Sequence, residues 1–176
     1  TGYGELRSAL FNRTWEHFCS HRHTPAQGPA DYPGIVRQGN CIYLMHPVFT
    51  QYDRNAPLWC KKLVVNALKL LLPEPLVTTN APSTALMTLN AQPEQNRLVL
   101  HALHYVPERR GRDFDVIEEV LPIYSVETSV RVEARVQSVK LVPQGVPLEF
   151  EEAGDRVQFV IPRVDGHQMV EIALAE

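Results

Sequence analysis

The sequence predicts an α+β chain in two parts, with mixed α/β material over residues 1–76 and an antiparallel β-sandwich over residues 77–176. Three observations carry this prediction. One strongly apolar helix lies between Pro57 and Pro73, and Pro73 together with Pro75 marks the change between the two parts. Beyond it, apolar and polar residues alternate with period two. Turn residues then recur at regular intervals without intervening helices, which is typical of a sandwich.

Composition excludes several classes of protein. Hydrophobic residues make up 44% and charged residues 21% of the 176 positions, as in an ordinary globular domain. The net charge is −3 and basic residues form no stripe, so we expect no nucleic-acid partner. The most apolar run, residues 63–72, is interrupted by Asn66 and Lys69, so we expect no membrane partner. Three cysteines are a sparse and odd set, which favours a reducing compartment and predicts a cytoplasmic protein.

The first part contains short elements ahead of its helix. Residues 2–18 are expected to form a short helix or a loop, and the prolines and glycines of residues 24–34 predict a surface loop. Residues 35–37 and 41–45 are predicted to be two strands joined by a tight turn. The second of these strands is apolar at nearly every position, which predicts burial on both faces.

The helix that follows has clear start and stop signals. Asn55 is a plausible cap, Pro57 fits the first turn where its missing N–H costs nothing, and Pro73 ends the helix. Its circumference is apolar except for one narrow polar stripe, formed by Lys62, Asn66 and Lys69. A helix with so narrow a polar stripe is expected to be covered on more than one side.

Apolar and polar residues alternate with period two in the second part. Residues 126–136 predict a strand with one dry and one wet face, and the change of parity near residues 137–138 predicts a bulge. Residues 98–105 predict a strand that is dry on both faces. Turn signals separate the remaining predicted strands, which cover residues 85–89, 146–150, 157–161 and 169–174.

One histidine-rich segment is a candidate contact site. In an extended chain, one face would present His17, Cys19, His21 and His23, a ligand set suited to zinc or copper. Four consecutive alternate ligands do not easily surround a tetrahedral ion, and ligand or interface contacts, or plain loop packing, are the alternatives. We therefore expect no metal site, and keep the three histidines as candidate ligand or interface contacts.

A second candidate cluster lies in residues 101–112 and includes Tyr105 and Arg109. Its arginines could hold a carboxylate or phosphate in a bidentate manner. A solvated loop with mutual ion pairs is the commoner arrangement, and we favour it. No carboxyl pair of the kind that glycosidases use can be identified, and no nucleophile, phosphate-binding or dinucleotide-binding motif is present. We expect no catalytic residue and no cofactor in this chain.

Four longer segments resemble one family. They are residues 17–25 (HFCSHRHTP), 39–52 (GNCIYLMHPVFTQY), 62–75 (KLVVNALKLLLPEP) and 100–111 (LHALHYVPERRG). They resemble the C-terminal region of bacterial glycoside hydrolases that carry a TIM barrel, a β-galactosidase-type trimerisation domain and a terminal β-domain. The nearest branch is the hypothetical glycosyl hydrolase group related to α-L-fucosidases.

The resemblance implies a division of labour within a larger enzyme. Residues 1–76 would be the end of a flavodoxin-like, glutamine-amidotransferase-like trimerisation domain, and residues 77–176 the β-sandwich that follows. Catalytic carboxylates in the family lie on the barrel. The resemblance thus implies a fragment that is a non-catalytic structural and oligomerisation module, with its own catalytic barrel and further copies of itself as partners. The alternative is a carbohydrate-binding β-sandwich, which Trp15 and Trp59 weaken because both lie in the first part.

Overall fold

The computed structural model describes residues 1–20 and 24–175. It consists mostly of antiparallel β-sheets with two short helices. The chain divides into two compact units, Thr1–Glu74 and Pro75–Glu176. Neither helix in the described residues is long and apolar enough to cross a bilayer.

The first unit is a three-stranded antiparallel sheet followed by two helices. Its elements are β1 (Gly2–Ala9), β2 (Ala26–Gln38), β3 (Cys41–Leu44), α1 (Val48–Asn55) and α2 (Leu58–Leu71). The strands lie in the order β1-β2-β3. The predicted tight turn is present between β2 and β3, where Gln38 pairs with Cys41 and Gly39 takes a φ of 56°. All three strands run antiparallel, whereas a flavodoxin-like sheet is parallel, so a flavodoxin-like remnant is not seen.

Two segments of the first unit differ from the sequence-based expectation. Residues 2–18, expected as a helix or loop, begin with strand β1, and most of the expected loop over residues 24–34 is the start of β2. Pro29 and Pro33 are tolerated there because this stretch of β2 pairs with β1 alone, so its other edge needs no backbone donor. Register shifts in the β1 pairing absorb the remaining irregularity.

The helical region also differs in detail. Asn55 is the last residue of α1 and not the cap of α2. The helix α1 ends there because Ala56 adopts a left-handed conformation, and its N–H donates a hydrogen bond to the Tyr52 carbonyl oxygen. Pro57 occupies the N-cap position of α2, and that helix ends at Leu71, two residues before Pro73. The expected burial of β3 on both faces is wrong, since Cys41 and Tyr43 are exposed.

The second unit consists of two larger antiparallel sheets and a short ribbon. Its strands are β4 (Val77–Thr79), β5 (Ala85–Gln92), β6 (Arg97–His104), β7 (Glu108–Arg109), β8 (Asp115–Val116), β9 (Ile123–Arg131), β10 (Val136–Val142), β11 (Val146–Pro147), β12 (Phe150–Ala153), β13 (Arg156–Val164) and β14 (His167–Leu174). The five-stranded sheet has the order β11-β10-β14-β6-β5, the four-stranded sheet has the order β12-β13-β9-β4, and β7 pairs with β8.

The two larger sheets share one hydrophobic core, which makes this unit a β-sandwich. Buried side chains come from both sheets, and those with no exposed surface are Leu100, Val130, Val157, Ile161, Val164, Val170 and Ile172. Along their strands these residues alternate with outward-facing ones, as period two requires, except that two exposed residues, Pro162 and Arg163, separate Ile161 from Val164. A side chain of this size stabilises the fold by about 1.5–3 kcal/mol when it is fully buried.

The predicted alternation after Val126 is present, but the strand is shorter than expected. β9 ends at Arg131, the chain bends through residues 132–135, and β10 starts at Val136 in the other sheet. Val132 and Val136 are still buried, so both segments keep their apolar side towards the core. The predicted bulge is confirmed, because the register of β10 against β14 shifts between Val136 and Ser138.

Candidate functional site

The histidine-rich segment of the first unit is described only in part. His21 and His23 lie outside the described residues. His17 is exposed, and its backbone N–H donates to Oγ1 of Thr14 over 3.1 Å. Its ring centroid lies 6.0 Å from that of Phe11. Within residues 1–20 and 24–175, no three histidine, cysteine or carboxylate side chains lie together as metal ligands would.

The arginine cluster of the second unit is held by mutual ion pairs. Nε of Arg109 lies 2.7 Å from a carboxylate oxygen of Asp115, across the β7–β8 ribbon. The guanidinium of Arg110 binds both Glu108, at 2.9 Å, and Glu118. All of these side chains are largely exposed, so each pair contributes about 0–1 kcal/mol. Glu108 and Glu118 are thus both exposed and bind the same guanidinium, whereas a glycosidase needs two carboxyl groups facing each other across a cleft.

Tyr105 lies apart from this ribbon, against the turn between β13 and β14. Gly166 in that turn has a φ of 71°, and a Cβ atom there would come within 2.8 Å of the Tyr105 hydroxyl oxygen. In the five-stranded sheet, Nδ1 of His101 lies 3.1 Å from Nε2 of His167, and the angle between the two ring planes is 8°. The structure thus does not bring Tyr105 and Arg109 together through any hydrogen bond or ion pair of the described residues.

A charged row crosses the outer face of the five-stranded sheet. The two carboxylate oxygens of Glu171 lie 2.8 Å from Nζ of Lys140 and 2.6 Å from a guanidinium nitrogen of Arg97. Nε of Arg97 also donates to the side-chain oxygen of Gln92 over 2.6 Å. The Glu171 side chain is only 9% exposed, and its hydrogen bond from Lys140, together with Arg97, holds its pKa below the ordinary value although burial raises it. The charged side chains of this row are therefore paired with one another.

The four-stranded sheet carries an open groove of about 1240 Å³. Its floor includes Thr78 of β4, Ser129 of β9 and Gln158 of β13, while Glu151 of β12 lies in the segment that lines one side. These four residues are direct cross-strand partners, Thr78 with Ser129, Ser129 with Gln158, and Gln158 with Glu151. We call them the polar row. Sequence reasoning missed them because outward polar positions are common in any strand, and only the register brings these four into line.

The first unit presents a different kind of surface. Among its described residues, the buried hydrophobic side chains are Val48 and Cys60. Three large apolar side chains of α2 are at least half exposed, namely Leu58, Trp59 and Leu68, and Leu72 just beyond the helix is exposed as well. These exposed apolar side chains make α2 a candidate interaction surface.

Together the fold and these surfaces define a sheet-rich protein with one well-packed β-sandwich. No family model matches the sequence, and no curated protein matches it. Among solved structures, the α-L-fucosidase isoenzyme 2 of Paenibacillus thiaminolyticus matches all of this chain with 34% sequence identity and a TM-score of 0.92. The match covers 27% of that enzyme's chain, so this chain spans about a quarter of its length.

A second solved structure matches more weakly. It is a cycloisomaltooligosaccharide glucanotransferase from Paenibacillus sp., with 16% identity and a TM-score of 0.44 over 55% of this chain and 16% of that one. A likeness at this level carries no argument. The relation to α-L-fucosidases that the four motifs indicate is confirmed by the first match. A trimerisation domain of the β-galactosidase type stays a prediction.

Proposed function

We propose that this chain is a non-catalytic structural and oligomerisation module of a glycoside hydrolase related to α-L-fucosidases. The observation that carries the proposal is the full-length match to about a quarter of such an enzyme. Since most of that enzyme lies outside the matched region, its active site can lie outside it too. We place the catalytic carboxylates of the parent enzyme on its barrel domain.

The exposed surface of α2 supports a docking role. A fully buried leucine contributes about 1.5–3 kcal/mol relative to an exposed one. Leu58, Trp59 and Leu68 contribute little of this within the first unit, because each is at least half exposed. A partner that covers α2 gains this burial energy, and we propose that the partner is the remainder of the same enzyme.

The ion pairs of the second unit support a module without its own chemistry. Glu108 and Glu118 share one guanidinium, that of Arg110, and all three side chains are exposed. Glu171, the most buried acidic side chain described, is bound by two cations. A general acid needs a raised pKa, whereas the pKa of Glu171 is lowered.

Hydrolysis assays test the catalytic part of this proposal. The purified 176-residue chain is incubated with 4-nitrophenyl α-L-fucoside and 4-nitrophenyl β-D-galactoside, and released nitrophenol is followed by absorbance. We expect no release above the buffer rate, while the longer parent enzyme that includes a barrel turns over one of them. Turnover by the purified chain would refute the non-catalytic role.

A further inference from the structure

The polar row lies across the whole width of the four-stranded sheet. Thr78, Ser129, Gln158 and Glu151 stand opposite one another on four neighbouring strands. Strands are about 4.8 Å apart, so the row offers polar groups at three such intervals, over about 14 Å. This length suits an extended ligand with hydrogen-bonding groups along it and exceeds what one small ion or monosaccharide needs.

The hydrogen-bonding capacity of this row is largely unused. Among the described residues, no hydrogen bond or ion pair engages the side chains of Thr78, Gln158 or Glu151. Ser129 accepts a bond of 2.8 Å from Nε of Arg156, which leaves its hydroxyl proton available for donation. The outer face of the five-stranded sheet is different, because its charged row is paired within itself. The two faces of one sandwich therefore differ in what they can offer a ligand.

Charge narrows the class of ligand. Carboxylates of Glu127, Glu149 and Glu151 line the groove, and the cation within it is Arg156. The guanidinium of Arg156 is already held by Ser129 and by the carbonyl oxygens of Pro75 and Leu76. An anionic ligand would meet uncompensated carboxylates, so the groove disfavours phosphates, sulfates and uronic acids.

The remaining chemistry fits sugar hydroxyls. A carboxylate accepts two hydrogen bonds from neighbouring hydroxyl groups, an amide both donates and accepts, and Thr78 and Ser129 can do either. Val160, which is 46% exposed, and Pro162 provide apolar surface beside the row for the C–H face of a ring. We propose that this groove binds a neutral oligosaccharide along the polar row.

Binding is expected to be weak. The aromatic residues of the lining are Phe150 and Phe159, and both pack towards the sandwich core. Without an exposed ring on which a sugar can stack, hydrogen bonds must supply most of the affinity, and each contributes only about 0.5–1.5 kcal/mol. A dissociation constant on the order of 1 mM follows.

Nuclear magnetic resonance titration of the 15N-labelled 176-residue chain tests this inference. The probes are cellotetraose, maltotetraose and fucosyllactose, with tetragalacturonate as the charged comparison, each added to about 20 mM, well above the expected dissociation constant. We expect at least one neutral probe to shift the amide signals of Thr78, Ser129, Gln158 and Glu151 in a saturable way. Tetragalacturonate should leave them unchanged.

Two variants and a control locate the site. Gln158→Ala and Glu151→Ala should each weaken binding of the responsive probe by about 3–10-fold, the effect of one or two hydrogen bonds. The matched control is Asn90→Ala, because Asn90 is an exposed amide on the outer face of the other sheet and should not change binding. Gln158 is exposed, so its replacement should preserve the fold, and the amide spectrum checks this directly.

Three outcomes would overturn the inference. They are no saturable shift with any neutral probe, shifts away from the groove, and equal effects of the Gln158 and Asn90 variants. Stronger binding of tetragalacturonate would contradict the charge argument. The inference does not depend on the proposed function, since the titration measures binding at the groove whereas the hydrolysis assays measure catalysis.

Discussion

Nδ1 of the buried His104 lies 3.0 Å from the carbonyl oxygen of Leu121. Because a carbonyl oxygen only accepts, Nδ1 carries a proton, and in the neutral imidazole Nε2 is then the acceptor for the Thr84 hydroxyl, also at 3.0 Å. One imidazole at the end of β6 thereby fastens the long connection between β6 and β9 and the segment that precedes β5. Two hydrogen bonds account for a polar ring at a position where the neighbouring inward residues are apolar.

Removal of this imidazole should destabilise the second unit. We expect His104→Leu to lower the free energy of unfolding by about 1–3 kcal/mol, because it leaves the Leu121 carbonyl without its donor. Thr84→Ala should cost less, since the Thr84 side chain lies at an exposed position. Both tryptophans lie in the first unit, so hydrogen exchange of β6 and β14 in urea is the suitable measurement. Equal stabilities of the wild type and His104→Leu would contradict this role.

Glu171 should make the second unit sensitive to acid. Its pKa is lowered by the hydrogen bond from Lys140 and by Arg97. A carboxyl with a lower pKa in the folded than in the unfolded state stabilises the fold above its unfolded pKa, and this stabilisation is lost as the pH falls through its folded pKa. We expect the free energy of unfolding to fall in that acidic range, and Glu171→Gln to reduce the pH dependence.

The Glu171→Gln variant should also be less stable at neutral pH, by about 1–3 kcal/mol, because it leaves two partly buried cations without their carboxylate. The control is Glu5→Gln, which removes an exposed ion pair with Arg7 in the first unit. Urea unfolding of the second unit between neutral and acidic pH checks both statements. An unchanged acid response in Glu171→Gln would show that other carboxylates dominate.

Gly166 and Gly154 separate two costs of an added methyl group. Both have positive φ, 71° and 64°, so alanine is strained at either position. At Gly154 nothing lies within 4 Å of the new Cβ, whereas at Gly166 it meets the Tyr105 ring. We expect Gly154→Ala to cost about 1 kcal/mol and Gly166→Ala more. Thermal unfolding of both variants measures the difference, and Gly166→Ala combined with Tyr105→Ala should recover part of it.

The sequence predicted those features that local periodicity and turn chemistry determine. The alternation after Val126, the bulge near Ser138 and the turn at Gly166 belong to this group. The start of the chain was harder, because the prolines of β2 suggest a loop unless the strand is known to pair on one side there. The sequence of α2 does not show which of its apolar side chains are exposed, since burial depends on the other elements that pack against the helix.

The candidate sites show the same limit. Arg109 and Asp115 are close together in the sequence and face each other across a short ribbon, so the local sequence is enough to suggest their ion pair. The polar row does not, since Thr78 and Gln158 are separated by 80 positions and share only their pairing with Ser129. Glu171 could have been noticed as the acidic residue within an apolar strand, but its partners come from two other strands.

In the isolated chain, a substitution at an exposed position of α2 should affect stability far less than one at a buried position. Leu68 is half exposed, so Leu68→Lys should change the stability of the first unit by less than about 0.5 kcal/mol. Cys60 is buried and its thiol lies 3.8 Å from the Gln51 side-chain oxygen, so Cys60→Asp should destabilise that unit strongly. Tryptophan fluorescence in urea reports on both variants, since Trp59 lies on the same helix.

The same substitution tests docking in the longer enzyme that we propose as the parent of this chain. There, docking through α2 requires that Leu68→Lys lower the melting temperature. If Leu68→Lys instead leaves the longer enzyme unchanged but dissociates a dimer or trimer of the isolated chain, as measured by light scattering, then α2 contacts a second copy and not the catalytic part of the enzyme.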